Sequence, residues 1–191
     1  MQFEAIFQTG DQRQDNFRSR LFGMFSEDIA RAWAQNPKAP YAYLGRPTIF
    51  EGSADATVDF LLRAPDGRRF VAEQKSELAW MGYSYLRLTS AAQVRHHAGR
   101  PAFDWFLEAA REPAKRLVKV GGKPVAVDGA ILVWGAVDED GRQDAMRAFG
   151  FHDVLSLEAM LDDLRAWGDR AWAARLDELD AWSRGLLEAL R

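Results

Sequence analysis

Residues 57–77 read TVDFLLRAPDGRRFVAEQKSE, two apolar runs joined by Ala64-Pro65-Asp66-Gly67-Arg68. Proline presets the first central position of a turn, aspartate suits the second, and glycine takes the left-handed residue of a bulge. The joint therefore predicts a three-residue loop, a common hairpin connection. Ala64 then faces Arg68. Counting back along both strands sets Asp59 against Glu73 and Thr57 against Lys75. Directly opposed residues share one face, with Cβ atoms ~4.5–5.5 Å apart, and like charges there repel. A divalent cation offsets such a repulsion, because Mg²⁺ is commonly held by one or two carboxylates together with waters and substrate phosphates. Lys75 lies two residues beyond Glu73, on the same face, where it can touch a water or a phosphate oxygen. Val58, Phe60 and Leu62 are expected to point the other way, into a core.

The elements around this hairpin follow from periodicity. Residues 15–35 place Phe17, Leu21, Met24, Phe25, Ile29, Ala32 and Trp33 at helical spacing, and Asn36-Pro37 ends the run. Gly23 and Ser26 leave open a second, shorter helix capped by Ser26. YAYLGRPTIFEGS, residues 41–53, reads as a first strand. Residues 90–112 read as helix, with breaks at Gly99 and Pro101 and a capping-box start at Ser90 and Gln93. VAVDGAILVWGAV, residues 125–137, has the apolar, β-branched character of a buried central strand. Beyond residue 156 a helical stripe that includes Trp167, Trp172 and Trp182 runs to the C-terminus, with a break at Gly168. It packs on its own domain or forms a homodimer seam. The expected architecture is α/β: a core over residues 1–155 with a small mixed central sheet flanked by helices, and a C-terminal helical extension over 156–191.

Composition sets bounds on function. Apolar residues make up 48% of the 191, enough for a core, and with no cysteine there is neither a disulfide framework nor a thiolate zinc site. The opening MQFEAIFQTGDQRQD lacks the basic start and long apolar core of a secretory leader. No apolar run approaches the ~18 residues of a membrane helix. A soluble, cytoplasmic chain without membrane contact is the expectation. The net charge of −3 is uneven: residues 87–123 hold eight Lys/Arg against three acids, and residues 138–191 hold thirteen acids against seven arginines. A basic middle suits an anionic partner, or is the ordinary solvated face of helices.

Asp59, a gap, and then Glu73-Gln74-Lys75 on a hairpin resembles the PD-(D/E)XK nuclease superfamily. The superfamily's helix–strand–strand–strand–helix–strand core is similar to the order of elements over residues 15–137, about two thirds of the chain. Val58 stands where the superfamily often has proline. The resemblance implies a restriction-endonuclease-like fold and a Mg²⁺-dependent phosphodiester hydrolase acting on DNA, with Mn²⁺ as a substitute. It implies Asp59, Glu73 and the Gln74 backbone carbonyl as metal ligands, and Lys75 as the group that orients the attacking water.

The superfamily often adds an acid from the first helix. On a 100° helical wheel Asp28 falls in the apolar stripe, where a carboxylate is costly unless paired or metal-bound. Asp28 is therefore the first choice and Glu27 the reserve; Glu51 at the end of the first strand is another acid in reach. If Ser26 caps a new helix, Asp28 and Glu27 are first-turn acids complementing its dipole. Gln93, Arg95, His96, Lys115 and Arg116 are candidate nucleic-acid contacts, with His97 a further phosphate contact. Trp80, Tyr83 and Tyr85 are either base-stacking residues or core. The rival to catalysis is a nuclease-like fold that serves as a binding or assembly module, for which the overall acidity argues. A third reading has the acids and Lys75 as a surface ion-pair ladder.

Overall fold

The computed structural model describes residues 11–76 and 87–191. In chain order the elements are α1 (Gln12–Gln35), β1 (Ala42–Gly45), β2 (Pro47–Glu51), β3 (Ala54–Thr57), β4 (Phe60–Arg63) and β5 (Arg69–Lys75). After the next described segment begins, β6 (Arg87–Leu88), α2 (Ala91–Arg95), α3 (Pro101–Arg111), β7 (Leu117–Val120), β8 (Lys123–Val125), β9 (Ala130–Trp134) and β10 (Ala136–Val137) follow. The chain closes with α4 (Glu139–Phe149), β11 (Asp153–Ser156), α5 (Leu157–Trp167) and α6 (Arg170–Ala189).

The Asp11 side chain caps α1, accepting from the Arg13 N–H at 2.9 Å, and the helix runs without a break through Gly23 and Ser26 to Gln35. A second helix starting at Ser26 is thereby corrected. Ser26 is fully buried and its hydroxyl donates back to the Gly23 carbonyl at 2.9 Å, as a mid-helix serine does. Asn36-Pro37 ends the helix as expected.

The central sheet has five strands in the order β1-β4-β5-β9-β11. β1, β4 and β5 are antiparallel neighbours, and β5, β9 and β11 are parallel, so the sheet is mixed. The hairpin register is the one the turn predicts. Phe60 pairs with Ala72, Leu62 with Phe70 and Arg63 with Arg69. The Ala64 N–H donates to the Arg68 carbonyl at 2.9 Å, and Gly67 takes the left-handed bulge position at φ 91°. Every residue of β9 is buried, as a strand covered on both faces requires.

Two cores lie on the two faces. One packs Phe60, Leu62, Phe70, Ala72, Ile131 and Val133 against α1 and α5. Leu157, Met160 and Leu164 bring α5 fully into this layer. The other packs Leu61, Val71, Leu132 and Trp134 under α2, α3 and α4.

The run 41–53, expected to be one strand, is two. At Gly45-Arg46-Pro47 the chain leaves the central sheet, and β2 joins a separate antiparallel sheet in the order β3-β2-β7-β8. Thr57 belongs to β3 and pairs with Thr48, so it does not face Lys75. Val58 packs with Leu61 and Val71 in the second core rather than beside Phe60 and Leu62, because the chain is switching sheets there. The run 125–137 is likewise divided among β8, β9 and β10. The expected helix over 90–112 is α2 and α3, parted at the anticipated Gly99 and Pro101.

Helix α4 crosses β6 closely. A Cβ on Gly141 would lie 2.3 Å from the Leu88 carbonyl oxygen, which is backbone and cannot swing aside. Gly141→Ala is expected to destabilise the fold by about 1–3 kcal/mol, as overpacking does. A chemical-denaturation curve with an unchanged midpoint would contradict that contact.

Candidate functional site

The register break just before β4 creates the site. Hydrogen-bonded pairs alternate along an antiparallel ladder, and the pair Ala64–Arg68 sets their phase, so Gln74 would next pair with Val58. Val58 instead gives its N–H to the Pro47 carbonyl at 3.1 Å. The Gln74 N–H is taken by the Asp59 carboxylate, Oδ2, at 2.8 Å. In a pleated strand the N–H and C=O of one residue point to the same edge. The Gln74 carbonyl is thus aimed at the Asp59 edge, and the Val58 N–H that an unbroken ladder would supply to it is committed elsewhere.

Glu73 opposes Asp59 across this opening. It is 8% exposed, and its Oε1 accepts from Lys75 Nζ at 2.6 Å. Its Oε2 is buried with no hydrogen-bond partner among the described residues. Burial first, and then the Asp59 carboxylate, raise the Glu73 carboxyl above the usual carboxylate range, against the pull of Lys75 and of the Asp59 backbone N–H. Lys75 Nζ also lies 5.2 Å from the centre of the Phe103 ring on α3. Arg46, on the connector between the two sheets, reaches Asp59 Oδ1 at 3.5 Å.

The first-helix acid beside this group is Glu27. Burial and then the Asp59 carboxylate raise its carboxyl, while Arg46 lowers it. Asp28, the first choice from the helical wheel, is turned toward α6, where it pairs with Arg175 at 2.9 Å and with Arg31 at 3.2 Å. The wheel shows a buried stripe, but α1 is covered both by the sheet and by α6, and periodicity does not say which neighbour a residue meets.

A hydroxyl network ties α1 to β5 behind the carboxylates. The Gln74 side-chain amide lies 2.6 Å from Ser26 Oγ, and Ser26 Oγ lies 3.0 Å from Ser76 Oγ. All three residues are buried. Ser26→Ala leaves the Gln74 and Ser76 groups short of a partner, so a loss of about 1–3 kcal/mol is expected in a urea unfolding curve. An unchanged midpoint would mean the network carries no stability.

The remaining candidates are placed differently. The Gln93 side chain closes the start of α2, accepting from the Thr89 and Ser90 N–H groups at 2.7 and 3.1 Å and donating to the Arg87 carbonyl at 2.8 Å. That is a capping role, and it commits the amide. Arg95 and His96 are exposed. His97 is 1% exposed, its ring against Phe103 and Trp134 at 5.6 and 5.7 Å. Burial, and next the Lys75 charge, push its imidazole down to about 4, so it is neutral and is not a surface phosphate contact.

Arg116 is largely buried over the Trp105 ring and pairs with Glu51 at 2.7 Å and with Glu108, which Lys115 also contacts. The basic middle is thus partly neutralised by acids of β2 and α3, one of them far away in sequence, and Glu51 is committed there. Trp80, Tyr83 and Tyr85 lie outside the described residues. Arg46, the cation on Asp59, is not marked out by any sequence pattern beyond its place between Gly45 and Pro47.

Among the described residues no group of three or more His, Cys, Asp or Glu side chains is gathered to hold a metal ion. The donors present are two carboxylates, Asp59 and Glu73, and the Gln74 carbonyl. These are hard oxygens, the kind Mg²⁺ and Mn²⁺ take, and the partnerless Glu73 Oε2 is the kind of buried atom a cation would satisfy. The donor set fits a hard divalent ion. Comparison with family models, with curated proteins and with solved structures finds no match. Among the described residues no helix is long and apolar enough to cross a membrane.

Proposed function

We propose that the chain is a divalent-metal-dependent phosphodiester hydrolase acting on DNA, with a PD-(D/E)XK-type site built on a restriction-endonuclease-like core. The observation that carries the reading is the opposed pair Asp59 and Glu73, with Lys75 on Glu73 and Oε2 of Glu73 left without a partner among the described residues. The order α1, β1, β4, β5, α3, β9, with β5 and β9 parallel, supports the core assignment.

Asp59, Glu73 and the Gln74 carbonyl would hold Mg²⁺, with Glu27 as the additional acid from α1. When bound, the cation lowers the pKa of a ligated water and neutralises charge on the phosphoryl oxygens. The chain's own groups do the rest. The Gln74 N–H holds the Asp59 carboxylate in one orientation. Glu73 Oε1 holds the Lys75 ammonium on the same face, near the Phe103 ring. Lys75 Nζ then has donors left for a non-bridging phosphate oxygen, where developing negative charge is stabilised in a partly dry site. The exposed Arg95 and His96 are the candidate contacts to the nucleic-acid backbone.

One observation favours the alternative of a binding or assembly module with little catalysis. Lys75 already compensates Glu73, and Arg46 approaches Asp59, so the carboxylate pair has cationic partners without a metal. Incubation of supercoiled plasmid with the protein and Mg²⁺ or Mn²⁺ separates the two. Nicking that is abolished by EDTA supports the hydrolase; salt-dependent DNA binding without cleavage supports the module.

A further inference from the structure

Helix α6 carries more apolar surface than its own core uses. It runs antiparallel to α1: Asn36 donates to Asp169 at 2.7 Å, and one turn or two further along Arg175 meets Asp28 at 2.9 Å. Trp172 is buried against α1 and α5. Beyond Arg175 most of the large apolar side chains are exposed. Leu176 is 46% exposed, Trp182 61%, Leu186 43%, Leu187 57% and Leu190 74%. Phe17 and Leu21, at the corresponding end of α1, are 63% and 36% exposed. Between the helices lies an open groove of about 740 Å³, floored by Phe25, Ile29, Leu161, Trp172 and Leu179.

Two features of α6 say what covers this face. The first is spacing. Leu176, Leu179, Ser183, Leu186 and Leu190 alternate three- and four-residue steps, the repeat of a coiled-coil seam. From Leu176 to Leu186 the seam is symmetric about Ala181, so a second α6 turned end for end sets Leu176 against Leu186 and Leu179 against Ser183. The second is charge. Arg175 pairs with Glu178, and Arg184 with Asp180, within the same helix. The seam itself carries no charge, and a second copy meets no row of like charges along it. The exposed apolar side chains of α6 and α1 together present on the order of 700 Å² per protomer, near the ~800 Å² per partner of a standard stable interface.

We propose that this face is a two-fold homodimer interface, with α6 of a second copy laid antiparallel on α6 and Trp182 and Leu187 flanking the seam. The interface is independent of the hydrolase reading, since none of its residues belongs to the carboxylate site. Sedimentation velocity of the full chain over a wide concentration range tests it. The expected species has twice the 21.6 kDa of one chain. Leu186→Glu with Leu190→Glu, both at exposed positions, is expected to weaken the dimer at least tenfold while circular dichroism and the melting temperature of the monomer stay the same. A wild-type monomer at every concentration overturns the proposal, whether the groove is closed within one copy or kept for another protein. A dimer that persists in the folded double variant overturns the choice of this face.

Discussion

Glu73→Gln is expected to abolish Mg²⁺-dependent DNA cleavage and yet make the metal-free protein more stable near neutral pH. The two effects have one cause. Glu73 is buried opposite Asp59 with one oxygen unpartnered among the described residues, and its carboxyl is raised above the ordinary glutamate value of about 4.3. At pH below that value the group is protonated in both the folded and the unfolded chain and contributes nothing. As pH rises, the unfolded chain ionises first, so stability is lost up to the folded value and stays lost above it. The glutamine variant has no such loss, and its amide oxygen can still accept from Lys75. In EDTA the wild-type melting temperature should therefore fall, relative to the variant, as pH rises from the acid range toward neutrality.

Adding Mn²⁺ should reverse the order. A ligand at a hundred times its Kd stabilises the folded state by about 2.7 kcal/mol, and only the wild type keeps the carboxylate to bind it. Equal stabilisation of both proteins by Mn²⁺ would place the metal elsewhere or nowhere.

Asp59→Asn and Lys75→Met are each expected to lower cleavage by roughly 10²–10³-fold, the scale seen when one charge-stabilising group is removed from an active site. Both substitutions are chosen to hold the fold. Asparagine keeps an oxygen for the Gln74 N–H, and methionine keeps an unbranched side chain of similar length in place of the lysine. The two residues have different tasks, and the metal dependence tells them apart. Asp59→Asn should raise the Mg²⁺ concentration needed for half-maximal activity. Lys75→Met should lower the maximal rate with less change in that concentration. Plasmid nicking at graded Mg²⁺, with circular dichroism as a check on folding, reads both. Activity equal to wild type in the two variants would remove the site from the reaction.

What the sequence discloses of this site is the part set by local geometry. Pro65-Asp66-Gly67 determines the hairpin register because turn chemistry at three residues aligns both strands, and Asp59 opposite Glu73 follows from it. Gln93 is legible as a capping residue for the same reason: its partners are within six residues of it. The second sheet is not legible. Its strands β2, β3, β7 and β8 are three to five residues long, half-exposed and interrupted by charge, so they show neither clean alternation nor a continuous apolar run. The chain's exit from the central sheet at Arg46 is hidden with it, and so are the displacement of Thr57 and Val58 and the cation on Asp59. The wheel does not separate Asp28 from Glu27 for a related reason, since one helix face meets several neighbours and Asp28 is paired with Arg175 of α6. Arg116 looks free in a local charge count because Glu51, one of the acids that neutralise it, is brought from β2 by the tertiary fold.

The same opening that makes the site also makes it specific to this register. Had β3 and β4 been one straight strand, Val58 would have filled the Gln74 edge and the Asp59 carboxylate would have had no backbone donor there. The loss of two ladder hydrogen bonds is offset by the Asp59–Gln74 contact and by the bond from Val58 to Pro47 in the neighbouring sheet.

A crystal of the wild-type protein soaked in Mn²⁺ and measured at a wavelength where manganese scatters anomalously shows directly whether Asp59 and Glu73 hold a metal. The expected result is a peak bounded by the Asp59 and Glu73 carboxylates and the Gln74 carbonyl, with Lys75 Nζ shifted off Glu73 Oε1. Ordered Asp59 and Glu73 side chains with no anomalous peak between them, and Lys75 still bonded to Glu73, would contradict it.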